Sequence, residues 1–269
     1  MIPIIKFFGK KRIVVTIHGL DWQRAKWGGF ATKYIKFGEK MAVKYSDEII
    51  VLSENVQKYF KEKYNRNTNF IPNGVNKPEV RNSNIIKSKF NLSKDNYILF
   101  LGRIVPEKGI HYLIDAYKQI YTDKKLVIAG GASDTSSYYQ ELIENSKNNE
   151  KIIFTGFVQG QELEELYSNA YIYVLPSDLE GMPLSLLEAM SYKNCCLTSD
   201  IPECKMVMED NGVTFKKSDV NDLKEKLQYL VDNVDVVNGY KNKSQEYVLR
   251  KYNWDEVLDK TLKLYKKEK

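Results

Sequence analysis

The chain has 269 residues, of which 43% are hydrophobic and 28% are charged, and its formal net charge is +6. This balance is typical of globular proteins and excludes a disordered chain, and the mild positive charge does not by itself indicate nucleic-acid binding. No apolar run approaches the roughly 18 residues that a membrane-spanning helix needs, so no such helix is predicted. In the opening stretch MIPIIKFFGKKR the basic residues follow the apolar piece, the reverse of a secretory signal, and we therefore expect a cytoplasmic protein.

The first 76 residues alternate between strand-like and helix-like runs. RIVVTIHG, DEIIVLS and TNFIPNGV are rich in β-branched or aromatic residues, whereas GFATKYIKFGEKMAVKYS and ENVQKYFKEKY have helical spacing. These runs predict about three parallel strands joined by helices.

One helix-like stretch in this part mixes aromatic and basic residues. Its aromatic members are Trp22, Trp27, Phe30, Tyr34 and Phe37, and its basic members are Arg24, Lys26, Lys33, Lys36 and Lys40. Packing of the rings into a core is one interpretation. The other is peripheral contact with a membrane surface, where rings lie at headgroup depth and lysines meet anionic lipid.

A polar stretch at 77–94 is predicted to be a partly helical linker, and a second alternating series follows it. The strand-like runs of this series are NYILFLGR, KLVIAGG, KIIFTGFV, AYIYVLPS and CCLTSD. They are short, continuous and apolar, as expected when helices cover both faces of a parallel sheet. The series predicts an α/β fold with a doubly wound parallel sheet, in which ligands gather at the carboxyl ends of the strands. Cys195, Cys196 and Cys204 form no metal-ligand pattern and are expected to be reduced thiols.

The loop in FLGRIVPEKGIHYL turns at Gly102 and opens a helix after Gly109, with Arg103 and Lys108 on either side of the turn. Two cations beside a helix N-terminus suit an anion such as a diphosphate. A solvated loop with ordinary surface charges is the alternative.

The stretch SDLEGMPLSLLEAM follows another strand and brings two carboxylates, Glu180 and Glu188, to the start of a helix. Pro183 is predicted at the first helical position, which leaves the amides of Leu184 and Ser185 free of helical acceptors. Two glutamates eight residues apart are common by chance, so one helix-dipole carboxylate and one surface carboxylate remain an alternative.

Together these motifs resemble glycosyltransferase family 4, a branch of the GT-B fold transferases. LGRIVPEKGIHYLIDA and SDLEGMPLSLLEAMSY match its most distinctive motifs, and the second contains its Glu-x7-Glu signature. VTIHG, DEIIVLSENVQKYF, FIPNGV, VIAGG and FTGFV extend the likeness over residues 12 to 235. A dinucleotide oxidoreductase is disfavoured, because no Gly-x-Gly-x-x-Gly follows a strand.

The resemblance implies a role for each matching residue. Arg103 and Lys108, with the turn at Gly102, look like the pair that neutralises the donor diphosphate, and Pro183, Leu184 and Ser185 look like part of the same cradle. Glu188 resembles the acid that binds the nucleotide ribose, and Glu180 the one that holds hydroxyls of the donor sugar. Val158 lies where the base rests. His18 is similar to a histidine of the first domain that reaches the sugar, although a structural histidine is an alternative.

The activity implied is retaining, hexosyltransferase-like transfer of a sugar from a nucleotide-diphosphate-sugar to a glycan or lipid-linked acceptor. No metal and no cofactor are required, in agreement with the absence of an Asp-x-Asp motif from the sequence. The abundance of Lys, Asn and Ile is typical of bacteria with AT-rich genomes, in which such enzymes build capsule or wall polysaccharide. We therefore expect no nucleic-acid partner and a place in the cytoplasm, at the inner face of the membrane if the membrane contact holds.

The resemblance also predicts the domain organisation. Residues 1–76 are expected to form a partial N-terminal, acceptor-side Rossmann-like domain, 95–252 a complete nucleotide-sugar-binding domain, and 253–269 a helix packing back toward the first. Roughly half of the acceptor domain is expected to be missing, so the chain is either a transferase, alone or with a second chain, or an inactive donor-binding remnant. Lys193 stands where a helix end favours glycine, in the left-handed conformation.

Overall fold

A computed structural model describes residues 2–9, 11–23, 28–131 and 136–266. It divides into two compact units, the first made of Met1–Gly74, Glu180–Met182 and Tyr252–Lys269, and the second of Val75–Leu179 and Pro183–Lys251. Arg24, Lys26 and Trp27 of the aromatic and basic stretch lie outside the described residues.

The first unit is built on a three-stranded parallel sheet with the order β1-β2-β3. Its strands are Val14–Ile17 (β1), Glu48–Val51 (β2) and Asn69–Phe70 (β3). Its helices up to Gly74 are Ile2–Gly9 (α1), Gly29–Tyr45 (α2) and Glu54–Tyr64 (α3), with a short 3-10 turn at Asp21–Gln23.

The core of the first unit lies between β2 and α3, where Ile49, Val51, Val56 and Phe60 are buried together. Helix α3 begins where the Ser53 side chain accepts a hydrogen bond from the Val56 amide (3.3 Å), an ordinary N-cap.

The second unit carries most of the regular structure. Its helices are Ile85–Phe90 (α4), Ile110–Tyr117 (α5), Ser136–Ser146 (α6), Gly160–Asn169 (α7), Leu184–Ser191 (α8), Pro202–Met208 (α9), Val220–Asp232 (α10) and Val234–Lys251 (α11). Its strands are Tyr97–Leu101 (β4), Lys125–Ala129 (β5), Ile152–Gly156 (β6), Ile172–Leu175 (β7), Cys195–Ser199 (β8) and Val213–Phe215 (β9). The last helix of the chain, Trp254–Lys266 (α12), belongs to the first unit.

The six strands of the second unit form one parallel sheet with the order β6-β5-β4-β7-β8-β9. Counted within the unit this is the order 3-2-1-4-5-6, so the winding direction reverses between β4 and β7. Strand β7 is buried along its whole length, as expected of a central strand covered by helices on both faces. The predicted α/β class with a doubly wound parallel sheet is confirmed, and the reversal marks the place where such sheets bind ligands.

The polar stretch before β4 is held by a buried carboxylate. Glu165, fully buried in α7, accepts hydrogen bonds from the amides of Asn84, Ile85 and Ile86 at 2.9, 2.7 and 3.1 Å. These are the amides that a helix start leaves without a helical acceptor, and a negative charge also suits this end of the helix dipole. Glu165 therefore fixes α4 where the sequence predicts a partly helical linker.

The left-handed conformation expected after α8 is present without a glycine. Lys193 has a φ of 61°, and its amide and that of Asn194 bond back to Met190 and Ala189 at 3.0 Å each. A lysine here carries a backbone cost of about 1 kcal/mol that glycine would not have.

Candidate active site

Three neighbouring strands end in glycine loops that are bonded to one another. The Gly102 amide after β4 donates to Ala129 O (3.0 Å), and the Gly130 amide after β5 donates to Gly156 O (2.9 Å). Gly130 has a φ of 152°, and a Cβ built on it would lie 1.8 Å from Gly102 O. Only glycine fits there, because the loops after β4 and β5 approach each other so closely at this position.

The loop after β4 carries the two predicted cations. Arg103 is exposed, and Lys108 is half-buried at the end of the 3-10 turn Pro106–Lys108. The loop closes at Gly109, whose φ is 64° and whose added Cβ would lie 2.1 Å from Pro176 O. A backbone hydrogen bond from Asp178 to Glu107 O (2.9 Å) joins the same two loops. The loops after β4 and β7 are thus brought together at the reversal point.

Helix α8 starts one residue later than predicted. Pro183 is the N-cap, with a φ of −76° and a ψ of 91°, because Leu184 is the first residue with helical geometry. Leu186 and Leu187 both donate to Pro183 O, at 3.1 and 3.2 Å. The amides of Leu184 and Ser185 therefore have no acceptor within the helix, as expected for the positive end of its dipole.

Two buried tyrosines hold the polar groups of α8 in place. Tyr167 OH donates to the Glu188 carboxylate (Oε2, 3.0 Å) and to Ser185 O (3.3 Å). Tyr173 OH donates to Ser185 Oγ (2.8 Å) and to Leu101 O (3.3 Å), which ties the end of β4 to the first turn of α8. Tyr192 stacks on Tyr167 with ring centroids 5.3 Å apart.

The Glu188 carboxylate lies in an environment that disfavours its charge. Burial of the carboxylate raises the pKa of Glu188 above its ordinary value, and the hydrogen bond from Tyr167 acts in the opposite direction. Parts of the side chain stay exposed, so the group remains open to a ligand. A partly desolvated acceptor of this kind gains from a hydrogen-bond donor of a ligand that replaces the lost water, and a hydroxyl is such a donor.

Asp178 is held from two sides, ahead of Glu180 in the chain. Tyr112 OH donates to its Oδ2 (3.1 Å) and Ser218 Oγ to its Oδ1 (2.7 Å). His111, beside Tyr112, has its Nδ1 2.8 Å from Tyr138 OH, and burial lowers the pKa of the histidine. These contacts fix the position of the loop after β7.

Val158 follows β6 and is buried, with 8% of its surface exposed. Its neighbour Phe157 presents a ring that is 74% exposed. The exposed aromatic surface in the GFV motif is therefore Phe157, whereas Val158 belongs to the packed layer beneath it.

Glu180 and His18 lie in the first unit. His18 is exposed and directly follows β1. A Cβ built on Gly181 would lie 2.0 Å from His18 O, so the residue after Glu180 lies against the His18 backbone. Met182, the next residue, accepts a contact from the Asn73 amide through its sulfur (3.1 Å).

The structure brings the predicted diphosphate and ribose residues to one edge of the second unit. Tyr167, Tyr173 and Asp178 also support this edge, and the sequence motifs do not single out the two tyrosines. The continuous apolar run in AYIYVLPS marks Tyr173 as a strand residue, but no spacing shows which hydroxyl reaches Ser185. Within the described ranges, no group of three or more His, Cys, Asp or Glu side chains is arranged to hold a metal ion.

Comparisons with known proteins agree with this architecture. Residues 82–247 match the family model "Glycosyl transferases group 1", and residues 4–76 match a domain of unknown function, DUF1972. The chain is 28% identical over 271 residues to the O-antigen chain mannosyltransferase RfbU of Salmonella typhimurium, covering 94% of this chain and 73% of that protein.

Solved structures show the same fold. Sucrose-phosphate synthase from Thermosynechococcus elongatus superposes with a TM-score of 0.81 at 23% identity, covering 94% of this chain and 67% of that one. Anabaena HepE in complex with UDP and glucose superposes with a TM-score of 0.86 at 16% identity, covering 97% and 73%. These structural neighbours are glycosyltransferases of GT-B fold.

Proposed function

Because this chain belongs to the group 1 glycosyl transferases, we propose that it moves a sugar from a nucleotide-diphosphate-sugar to a glycan or lipid-linked acceptor. We assign it to family 4 and to the retaining transferases, with a role in bacterial capsule or wall polysaccharide synthesis. The reaction is placed at the inner face of the membrane, with peripheral contact to its surface. One observation carries the proposal: at the point where the sheet reverses its winding, the loop of Arg103 and Lys108 is bonded to the loop after β7, and Tyr173 ties the end of β4 to the first turn of α8.

The diphosphate is assigned to this edge because its charge is matched there. Arg103 and Lys108 supply two cations, and the Leu184 and Ser185 amides supply donors at the positive end of a helix. Gly102 has no side chain, which lets a phosphate approach its backbone closely. A phosphate-sized anion is the ligand that such a set of donors favours.

The hydroxyl groups of the donor are assigned to the carboxylates. Glu188, held by Tyr167, accepts hydrogen bonds from the ribose, and Glu180 accepts them from the transferred sugar. His18 contacts the sugar, and the base rests on the segment that contains Phe157 and Val158. Each carboxylate thereby accepts hydrogen bonds from neutral hydroxyls. Arg103 and Lys108 offset the repulsion between the carboxylates and the phosphates.

The transfer itself needs charge stabilisation and positioning. The bond between the anomeric carbon and the diphosphate oxygen breaks, and the bonding electrons leave with the diphosphate. The acceptor hydroxyl forms the new bond from the same face and gives up its proton to the departing phosphate oxygen. Arg103, Lys108 and the α8 amides lower the barrier by stabilising the charge on the leaving group.

Titration of the protein with UDP-glucose, GDP-mannose and ADP-glucose tests the binding site by calorimetry. Arg103→Ala and Glu188→Ala should each weaken the best of these donors about 10- to 100-fold, as expected for loss of a charge-assisted hydrogen bond. Arg250→Ala and Glu246→Ala, at exposed positions of α11, are matched controls that should change nothing. Donor affinity equal to wild type in both site variants would show that the assignment of residues is wrong.

A donor-binding protein that transfers nothing alone, or one subunit of a split transferase, is the second candidate. It is favoured by the small sheet of the first unit, since three strands are few for burying both faces of a parallel sheet. Release of nucleoside diphosphate in the presence of a lipid-linked acceptor separates the two. Donor binding without release, under conditions where a related enzyme turns over, supports the second candidate.

A further inference from the structure

The outer side of α2 exposes three large aromatic residues. Phe30 is 86% exposed, Tyr34 71% and Phe37 57%. Their spacing of four and three residues places them on one face of the helix, within about 10 Å along its axis. The described part of the chain leaves these rings in solvent, so they do not belong to the core.

The same side of the helix is lined with lysines. Lys33, Lys40 and Lys44 are exposed, and at 100° per residue they form a stripe directly beside the aromatic one. Lys36 lies at the far margin, with its ammonium 4.2 Å from the centre of the Trp22 ring. We call Phe30, Lys33, Tyr34, Phe37, Lys40 and Lys44 the α2 outer face.

The single acid of α2 is turned away from this face. Glu39 is 8% exposed and accepts hydrogen bonds from Trp22 Nε1 (3.1 Å), Tyr59 OH (2.7 Å) and Tyr64 OH (2.5 Å). Lys63 Nζ lies 3.4 Å from the same carboxylate. The negative charge is therefore neutralised inside the unit, and the outer face carries cations without a carboxylate of α2 beside them.

Helix α12 offers an internal comparison. It also exposes an apolar stripe, of Trp254, Leu258, Leu262 and Tyr265. Its three lysines are balanced by three carboxylates, and Glu256 and Asp259 form ion pairs with Lys260 and Lys263. Exposed apolar surface also occurs on α1, at Ile4, Ile5 and Phe7. Of α2 and α12, α2 is the one that sets its exposed rings beside lysines with no carboxylate of the same helix next to them.

We propose that the α2 outer face docks on an anionic lipid bilayer. Rings at headgroup depth and lysines against anionic lipid are the two contacts that an interfacial helix makes, and α2 presents both on one side. None of the described helices is long and apolar enough to cross a bilayer. This inference rests on the membrane contact given under the proposed function and names the lipid that the contact would meet. Lipid binding is measured without any sugar transfer, so the lipid contact and the transferase activity can each fail without the other.

Sedimentation of the whole protein with vesicles tests the proposal. Vesicles with 30% phosphatidylglycerol in phosphatidylcholine should bind the protein, pure phosphatidylcholine should bind it far less, and salt should weaken binding. The pair Lys33→Gln and Lys40→Gln should lower the partition coefficient more than tenfold, since each lysine near an anionic surface contributes about fivefold. Phe30→Ser with Phe37→Ser should lower the partition coefficient at least tenfold, because it removes two rings that the bilayer would otherwise bury.

Two controls make the result specific. Leu258→Ser with Leu262→Ser removes two exposed apolar residues from one face of α12. Lys260→Gln removes an exposed charge from the same helix, and neither change should alter vesicle binding. Circular dichroism confirms that each variant is folded. Equal binding by the α2 and α12 variants, or no binding to the anionic vesicles, overturns the proposal. A change in sedimentation-velocity mass in the α2 variants without a change in vesicle binding would assign the face to a protein contact and overturn it too.

Discussion

At the scale of single residues, Glu188 shows how a binding role and stability oppose each other. Its pKa is raised by burial, so the ionised form is less favourable in the folded protein than in the unfolded chain. For a carboxyl with a raised pKa, the favourable contribution to folding is present at low pH and is lost as pH rises through the folded pKa. The tyrosine that keeps the group in place, Tyr167, offsets part of this cost.

Glu188→Gln should therefore stabilise the protein near neutral pH and leave its stability near pH 4 almost unchanged. The amide keeps an oxygen for Tyr167 but carries no charge to desolvate. The same variant should bind a nucleotide-sugar at least tenfold more weakly, because a charged acceptor is lost. Thermal unfolding from pH 4 to pH 8, alongside donor titration, measures both effects.

Glu246→Gln, at an exposed position of α11, is the control for a change of net charge. A Glu188→Gln protein that is less stable than wild type at pH 7 would contradict the desolvation argument. It would mean that the carboxylate makes stabilising contacts beyond the one with Tyr167.

At the scale of elements, the site depends on how closely two loops approach. Gly109 combines a left-handed φ of 64° with an added Cβ only 2.1 Å from Pro176 O, whereas Gly160 has a φ of 57° and nothing within 4 Å of its added Cβ. Alanine substitution at Gly160 therefore adds backbone strain alone, whereas at Gly109 it adds both backbone strain and a steric clash.

Gly160→Ala should cost about 1 kcal/mol in the free energy of unfolding, from strain alone. Gly109→Ala should cost about 2 kcal/mol or more, because the loop of Arg103 and Lys108 must move away from the loop after β7. Urea unfolding gives both values, and donor titration should show a loss of affinity in Gly109→Ala only. Equal costs for the two substitutions would show that the loops have room to adjust.

The elements also show what could be predicted from the sequence. Short apolar runs identify β4 to β8, and glycines mark the ends of β4, β5 and β6, because a buried parallel strand needs continuous apolar residues and its end needs a turn. The sequence does not predict helix α11, because it is mostly polar and Gly239 interrupts it. Strand β9 is not predicted either, because it is only three residues long. Helices α1 and α9 were likewise not predicted.

Contacts between distant parts of the chain escape sequence patterns altogether. Tyr167 and Glu188 are 21 residues apart, and Glu39 finds Trp22, Tyr59 and Tyr64 only once α2 and α3 are in place. Helical spacing shows that Phe30, Tyr34 and Phe37 share a face but not whether that face is inside. The buried Glu39 on the opposite side of α2 shows that the aromatic face is the outer one, and its burial depends on contacts that form only in the folded first unit.

At the scale of the whole molecule, the predicted glycosyltransferase activity and α/β fold are confirmed by the family match and the parallel sheets. The domain boundaries and the roles of individual residues stay predictions. The division into two units makes the predicted diphosphate and ribose site testable by itself. Its residues all belong to the second unit: Arg103, Lys108, Leu184, Ser185 and Glu188.

A fragment of residues 75–251 should fold on its own and bind the nucleotide. It contains the complete six-stranded sheet, the Glu165 contacts that hold α4, and both loops at the reversal point. We expect cooperative urea unfolding and affinity for UDP, GDP or ADP within about threefold of the whole chain, as for a domain with its own core. Arg103→Ala should weaken binding equally in the fragment and in the whole chain. A folded fragment that binds no nucleoside diphosphate, beside a whole chain that does, would show that the diphosphate site needs residues outside 75–251.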